Sequence, residues 1–485
     1  MKYLKYFALL LLFGNTLTGC FDDNDDVQQV SSTLEINDYI WKGMNVFYLY
    51  KADVPDLADN RFSSNQAFTQ FLQGFSSPQV IFDALQTKQI DPTSGLPVDA
   101  FSFLVDDYVA LEQAFDGITR NNGMEFGLVV YENDPNNVFG YVRYILPGTD
   151  AETKGLKRGD IFNTVNDTQI TRSNFRELLA PDTYSIGLAM LDGDNITPLG
   201  TSISLTKVQY TENPVFIAKT MNVGGSPVGY LMYNAFTADF DTQLNAAFGQ
   251  FSADGVTDLV LDLRYNGGGS VVSAIDLSSM ITGQFNDEVF TTEEWNADLQ
   301  EQFGSINLFK NEIRTGEAIN SLNLSRVYII TTRSSASASE LVINGLDPYI
   351  NVIQVGATSR GKFQASITLY DSDDFGRQGA DPGHTYAMQP LVLRSINSVG
   401  FTDYFDGFAP EIEVTENYSN PGGNSNLGVL GNENEPLLKA ALDNILGTRS
   451  AKSYHNIQLE NIGNSNMYDL NYERMYRDID LSKTE

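Results

Sequence analysis

The sequence predicts a multidomain α/β protein, and three changes of hydropathy pattern along its 485 residues carry that prediction. An opening stretch keeps its aromatic residues at helical spacing. A middle stretch alternates apolar and polar residues between glycine turns. The long stretch after it alternates short apolar strands with helix-like segments, as an α/β layer with mainly parallel crossovers does. An apolar fraction of 42%, with 12% aromatics, supports sizeable cores, and the length suits two or three domains.

The first element precedes all of these. Lys2 and Lys5 stand before the apolar run Phe7 to Phe13, and the segment closes on Leu17-Thr18-Gly19-Cys20. The run is too short to cross a bilayer and has the layout of a secretion signal. Leu-Thr-Gly-Cys resembles a bacterial lipobox, which implies a signal peptide over 1–19 and a lipid on Cys20. Cys20 is the one cysteine of the chain, so no internal disulfide is available. The formal net charge is −32, and loss of residues 1–19, which carry two lysines and no acid, takes it to −34. Such a field repels nucleic acid and anionic lipid head groups. Asp22, Asp23, Asp25 and Asp26 make residues 20–33 a solvated acidic tether. They also resemble the acidic export signal of Bacteroidetes surface lipoproteins. These likenesses imply a lipid-anchored protein of the cell envelope, periplasmic or exposed at the outer-membrane surface.

Residues 34–118 read as a small helical domain. Tyr39, Trp41, Met44, Phe47 and Tyr48 fall at helical spacing, and an amphipathic stretch follows from Asn65 to Phe75. Core packing accounts for these aromatics. Over 119–212 the pattern becomes alternating β, with Gly127 to Tyr131 and Val138 to Val142 as strands. The run from Pro147-Gly148 through Gly155-Leu156 to Gly159-Asp160-Ile161 then resembles the signature of a PDZ domain. Phe126-Gly127-Leu128 matches that family's carboxylate-binding loop, where backbone N–H groups hold a peptide's terminal carboxylate while the peptide joins the sheet edge. The plainer reading is that these glycines only make turns.

Residues 213–447 alternate strand and helix: strands at Gly229–Tyr233, Leu259–Leu263, Val327–Ile330 and Val352–Val355, helices at Thr242–Phe251, Val271–Ile281 and Ser339–Leu346. An Asn/Gly/Pro-rich loop from Asn417 to Glu435 leads to a short helix, Leu437 to Ile445. The tail over 448–485 is polar and is expected to be peripheral.

Two turns in this third region carry chemistry. Arg264-Tyr265-Asn266-Gly267-Gly268-Gly269 ends a strand and opens a helix, yet it fits neither a dinucleotide loop nor a phosphate loop with its Gly-Lys-Ser/Thr. Its N–H groups suit an oxyanion, or the glycines simply turn the chain. Ser335-Ala336-Ser337-Ala338-Ser339-Glu340 also sits where a strand meets a helix. Ser337 with Glu340 has the spacing of a capping box. The same position suits a nucleophile if Lys362, brought back by the next strand, removes its proton. That requires a neutral lysine, with its pKa brought from about 10.4 towards about 7–8 by burial, and Glu340 kept off the ammonium. The two histidines, His384 in a loop and His455 in the tail, show no reason to face Ser337. The chain lacks His-Glu-x-x-His and has too few histidines for a typical zinc site.

In combination these motifs resemble the C-terminal processing, or tail-specific, serine peptidases. That family carries Ser-Ala-Ser-Ala-Ser-Glu with the nucleophile at its middle serine and a Gly-Lys pair whose lysine follows 25 residues later. An Asp-Leu-Arg-x-Asn-x-Gly-Gly turn and a PDZ domain lie upstream. Here Ser337 and Lys362 are 25 apart, Asp262 to Gly269 matches the turn, and Gly123 to about Thr206 matches the PDZ segment. The likeness spans roughly residues 120–415. It implies a crotonase-like (ClpP/crotonase) α/β peptidase core with Ser337 as nucleophile and Lys362 as general base. Ala338 and Gly268 N–H would hold the oxyanion, the substrates would be proteins or peptides with free C-termini, and neither cofactor nor metal is implied. One departure stands out. The family usually has Gln four residues after the lysine, where this chain has Ser366, while Gln364 lies two after it. On a strand both share the face of Lys362, so either could orient it. Arg360 replaces a frequent aromatic. A non-catalytic peptide-binding lipoprotein on the same fold is the alternative. A crotonase-type acyl-thioester enzyme fits the secretion signal poorly, because acyl-coenzyme A pools are cytoplasmic.

Overall fold

The computed structural model describes residues 31–192, 195–416, 427–448, 460–479 and 481. Cys20, the acids of the tether and His455 lie outside the described residues. A six-stranded sheet forms the centre, in the order Val215–Val223, Ser226–Tyr233, Asp258–Asp262, Arg326–Thr331, Asn351–Gly356 and Ile412–Glu413. The first pair is antiparallel and the rest are parallel. Its inner strands are covered on both faces, which is why Leu259 to Leu261 reads as a continuous apolar run.

Alternate side chains of those strands go to two cores. Leu231, Leu259, Leu261 and Ile329 meet the helices Asp241–Ala253, Val271–Thr282 and Ala338–Leu346 through Phe248, Leu277 and Leu341. Tyr230, Val260, Tyr328 and Val355 meet Leu437, Leu438 and Ala441 of the helix Pro436–Ile445. The first N-terminal helix, Thr33–Phe47, is started by a Ser32–Glu35 capping box. Its Ile36, Tyr39, Ile40, Met44 and Phe47 join the same core as Leu231 and Leu261. Trp41, half-buried at the edge of that core, also meets Phe62 and Phe68.

An antiparallel sheet holds Met124–Val130, Val138–Ile145, Ile161–Val165, Thr183–Asp192 and Asn195–Thr206. Asn166 and Asp167 make its tight turn with positive φ, and the short helix Phe175–Leu179 packs Phe175 and Leu179 against Leu128.

The tail departs from expectation. Residues 460–479 return to the middle of the molecule, with Met475 and Tyr476 buried. Asn461–Asn464 pairs with Met124–Val130. Met475–Tyr476 lies between Gly269–Ser270 and Gln364–Ser366, parallel to both. These contacts bridge more than a hundred residues of sequence and rest on backbone pairing, which leaves no apolar periodicity to read.

Candidate active site

The strand Arg326–Thr331 delivers the serine run to the start of the helix Ala338–Leu346. Ser335 and Ser339 are both engaged there: Ser335 Oγ donates to Leu263 O at 2.7 Å and Ser339 Oγ to Asn266 O at 3.0 Å. They tie the run to the glycine turn. Ser337 differs in three ways. It is fully buried, its backbone takes φ 65° and ψ −115°, and its Oγ has no hydrogen-bond partner. A non-glycine residue in that region stores about 1–3 kcal/mol of strain and persists only where its surroundings fix it.

Glu340 does the fixing. Its buried carboxylate accepts from Ser337 N at 2.8 Å, Lys362 N at 2.8 Å, Gly361 N at 2.6 Å and Ser359 Oγ at 2.6 Å. One oxygen, Oε2, thus holds the backbones of both Ser337 and Lys362. Burial pushes the Glu340 pKa up, against the pull of these donors. The capping-box spacing is therefore used by its glutamate, while the serine oxygen stays unengaged. Gly361 must be glycine, since at φ 88° a Cβ would stand 2.1 Å from Phe405 O.

Lys362 is fully buried and its Nζ has no hydrogen-bond partner, so it is not bonded to Ser337 Oγ in this conformation. Burial first, then the like charge of Arg474, holds its pKa well below the ordinary lysine value; Glu473, Asp99 and Glu340 act in the opposite sense. The Phe101 ring lies 5.1 Å from Nζ. Gln364 does not touch the amine. Its Nε2 donates to Tyr50 OH at 2.9 Å, and its Oε1 is buried without a partner, as is Ser366 Oγ.

In the glycine turn, Arg264 is buried and forked between Asp262 and Glu435, with Glu416 at 3.1 Å. This network ties the turn to the helix Pro436–Ile445, whose N-cap is Glu435. Gly268 has φ 112°, and a Cβ there would meet Arg474 O at 2.6 Å and Ser337 Cβ at 2.7 Å. Its N–H donates to Asn266 Oδ1 at 2.9 Å, so it is occupied in this conformation. Ala338 N–H, at the first helical position, lacks an intrahelical acceptor. His384 bonds to Asp371 at 3.0 Å and accepts from Tyr386 N at 3.0 Å, turned to a different neighbourhood. With Asp381 it makes the one three-residue grouping of metal-ligating type among the described residues.

Phe126, Gly127 and Leu128 lie on the strand Met124–Val130, in register with Tyr141 and its neighbours on one side and the tail on the other. Phe126 N donates to Ser465 Oγ at 3.1 Å. Asp99, Phe101, Glu473 and Arg474 stand in no motif that marks them in the sequence. All four come to the lysine from the N-terminal segment and the tail.

Residues 227–375 match the sequence profile of peptidase family S41, and residues 35–103 match that of the peptidase S41 N-terminal domain. The chain is 26% identical over 239 residues to a chloroplastic C-terminal processing peptidase of Tetradesmus obliquus, covering 46% of this chain and 48% of that protein. It is 23% identical over 223 residues to a carboxyl-terminal-processing protease of Picosynechococcus, covering 45% and 49%. The chain thus spans about half the length of the curated relatives it matches. A crystal structure from Bacteroides fragilis, of a protein described as an S41 protease, superposes with a TM-score of 0.64 at 24% identity, over 84% of this chain and 97% of that one. That likeness is one of fold. The two matched stretches take in the N-terminal helices and the α/β layer that holds the serine and lysine turns, and in both the chain is similar to peptidase family S41.

Proposed function

We propose that this protein is a serine endopeptidase of the C-terminal processing type, with Ser337 as nucleophile and Lys362 as general base. The observation that carries the reading is the contrast within the serine run. Ser335 and Ser339 are spent on structure, while Ser337 is strained, buried and unengaged, and shares one glutamate oxygen with a buried lysine. A lysine kept neutral by burial can accept the Ser337 proton as Oγ attacks a peptide carbonyl. Ala338 N–H, at the positive end of its helix, then faces the tetrahedral oxyanion. Gly268 would join it only after releasing Asn266 Oδ1. The protonated lysine returns its proton to the departing amine, and water hydrolyses the ester on Ser337 by the same route.

The antiparallel sheet acts as a PDZ domain in this reading, with Phe126, Gly127 and Leu128 accepting an extended peptide. Lipidation at Cys20 would hold the enzyme in the cell envelope, facing protein substrates there. The test uses protein lacking residues 1–20 with casein as an unfolded substrate. Cleavage is expected, and Ser337→Ala or Lys362→Ala should each lower it at least about 10³-fold. Cleavage that survives both substitutions removes the Ser/Lys mechanism. An inert wild type that binds peptides with free carboxylates makes the protein a binding module.

A further inference from the structure

We propose that residues 461–476 are a cis occupant of the polypeptide-binding channel, which an incoming extended chain must displace before it can reach Ser337. The proposal rests on the peptidase reading for its consequence, and on strand pairing for its content.

The first half concerns the sheet edge. Asn461–Asn464 pairs antiparallel with Met124–Val130, with Asn461 opposite Val129, Gly463 opposite Leu128 and Asn464 opposite Gly127. Main-chain bonds of this kind are how an added peptide strand gains affinity at an open edge. The segment runs so that its C-terminal end arrives at Phe126. There Ser465 Oγ accepts from Phe126 N at 3.1 Å and also bonds to Glu125 Oε2. The tail's own hydroxyl thus fills the place beside Phe126 N. Ile462, Met467 and Tyr468 pack on the core formed by Leu128, Phe162 and Leu179. Tyr468 OH donates to Arg176 O at 2.8 Å on the helix Phe175–Leu179. The tail therefore lies between strand and helix, and a Cβ on Gly463 would stand 3.2 Å from Met467 Sδ and 3.4 Å from a Phe175 ring carbon.

The second half concerns the nucleophile. Glu473 N stands 3.1 Å from where a Gly267 Cβ would be, and Arg474 O 2.6 Å from the corresponding point of Gly268, beside Ser337 Cβ. Met475 and Tyr476 pair with Gly269 and Ser270, and Tyr476 also pairs with Ser366 on the lysine strand. Arg360 clasps Glu473 at 3.1 Å, and Arg474 Nη1 donates to Phe101 O at 2.5 Å. The backbone edges nearest Ser337 and Lys362 are taken by the chain itself. An extended substrate needs these same edges.

The experiment measures binding on a Ser337→Ala background, so that no peptide is cut. The probe is a fluorescent synthetic copy of residues 460–478. Ser337→Ala alone should bind it weakly, because the tethered copy is present at high effective concentration. Adding Gly463→Val, or Met467→Asp as an independent variant, should tighten binding at least tenfold. In the Ser337 protein the same variants should raise casein cleavage severalfold, and the added peptide should reverse the gain. Equal peptide affinity with and without the tail substitutions, in proteins that keep the wild-type circular dichroism and melting transition, overturns the proposal. Loss of the fold in both variants does so too, because it makes the tail an integral part of the core. Tightened binding with no cleavage in any form leaves the tail proposal standing and removes the peptidase reading.

Discussion

Lys362 carries a cost that shows how the site is tuned. A buried amine with no hydrogen-bond partner is stable only when neutral. Its folded-state pKa lies below that of the unfolded chain, chiefly through burial and then through Arg474. The folded protein therefore binds fewer protons than the unfolded chain, and this residue's penalty grows as pH falls below the ordinary lysine value. Two outcomes follow. Lys362→Met should abolish cleavage yet raise the melting temperature, by more at pH 6 than at pH 9. Lys362→Arg, which cannot deprotonate, should be equally inactive without that gain. Thermal unfolding of both variants at the two pH values checks this, and a Lys362→Met protein less stable than wild type at pH 6 would show that the amine is held charged.

At the level of elements, the candidate site is two turns braced against each other. Ser335 and Ser339 bond to carbonyls of the Leu263–Asn266 segment, and Ala336 N donates to Asn266 O at 3.1 Å. Arg264 anchors that segment to Glu435 in turn. Gly268 is the point of closest approach. Gly268→Ala adds both the strain of φ 112° and a clash with Arg474 O and Ser337 Cβ, so it should cost more than about 2 kcal/mol and most of the activity. Gly148 is the control: at φ 74° it has nothing within 4 Å of a Cβ, so Gly148→Ala should cost only about 1 kcal/mol. Chemical denaturation of the pair separates clash from backbone strain.

Across the whole molecule, docking of the tail brings buried acids close together. Asp469 sits near Glu125, with its pKa pushed up to about 7 by burial and that neighbour, and Lys207 opposing. Glu212, bonded by Asn234 Nδ2 at 3.0 Å, is raised to about 8 by burial, Glu125 and Asp469. Tyr184, Tyr468, Tyr144, Tyr210 and the Arg120–Asp182 ion pair are also close by. Raised carboxyl values mean that the docked form binds more protons than the free one, so docking weakens as pH climbs from about 4 through 7 to 8. Binding of the 460–478 peptide to the Ser337→Ala, Gly463→Val protein should accordingly weaken several-fold between pH 6 and pH 8.5. A peptide carrying Asp469→Asn should lose most of that dependence. A flat profile for the unmodified peptide would show that these acids are ionised throughout.

The sequence by itself determined where strands alternate with helices and where the two glycine- and serine-rich turns fall, and it singled out Ser337 as a candidate, because these readings depend on local periodicity and on short motifs at fixed spacing. The central strands are legible in Leu259 to Leu261 and Val327 to Ile330 because burial on both faces favours apolar runs. The role of Glu340 was half legible: its capping-box spacing is visible, but its grip on Lys362 N comes from 22 residues away. Gln364 opens the strand Gln364–Ser366 just after Lys362, and its amide turns to Tyr50 and not to the lysine. Only the tertiary structure decided what surrounds the lysine and what fills the strand edges. Asp99 and Phe101 are held by bonds from Tyr48 OH and Arg474 Nη1, and the tail is brought in by long-range backbone bonds at Asn461–Asn464 and Met475–Tyr476. Such bonds use groups that every residue possesses, so composition and periodicity carry no mark of them.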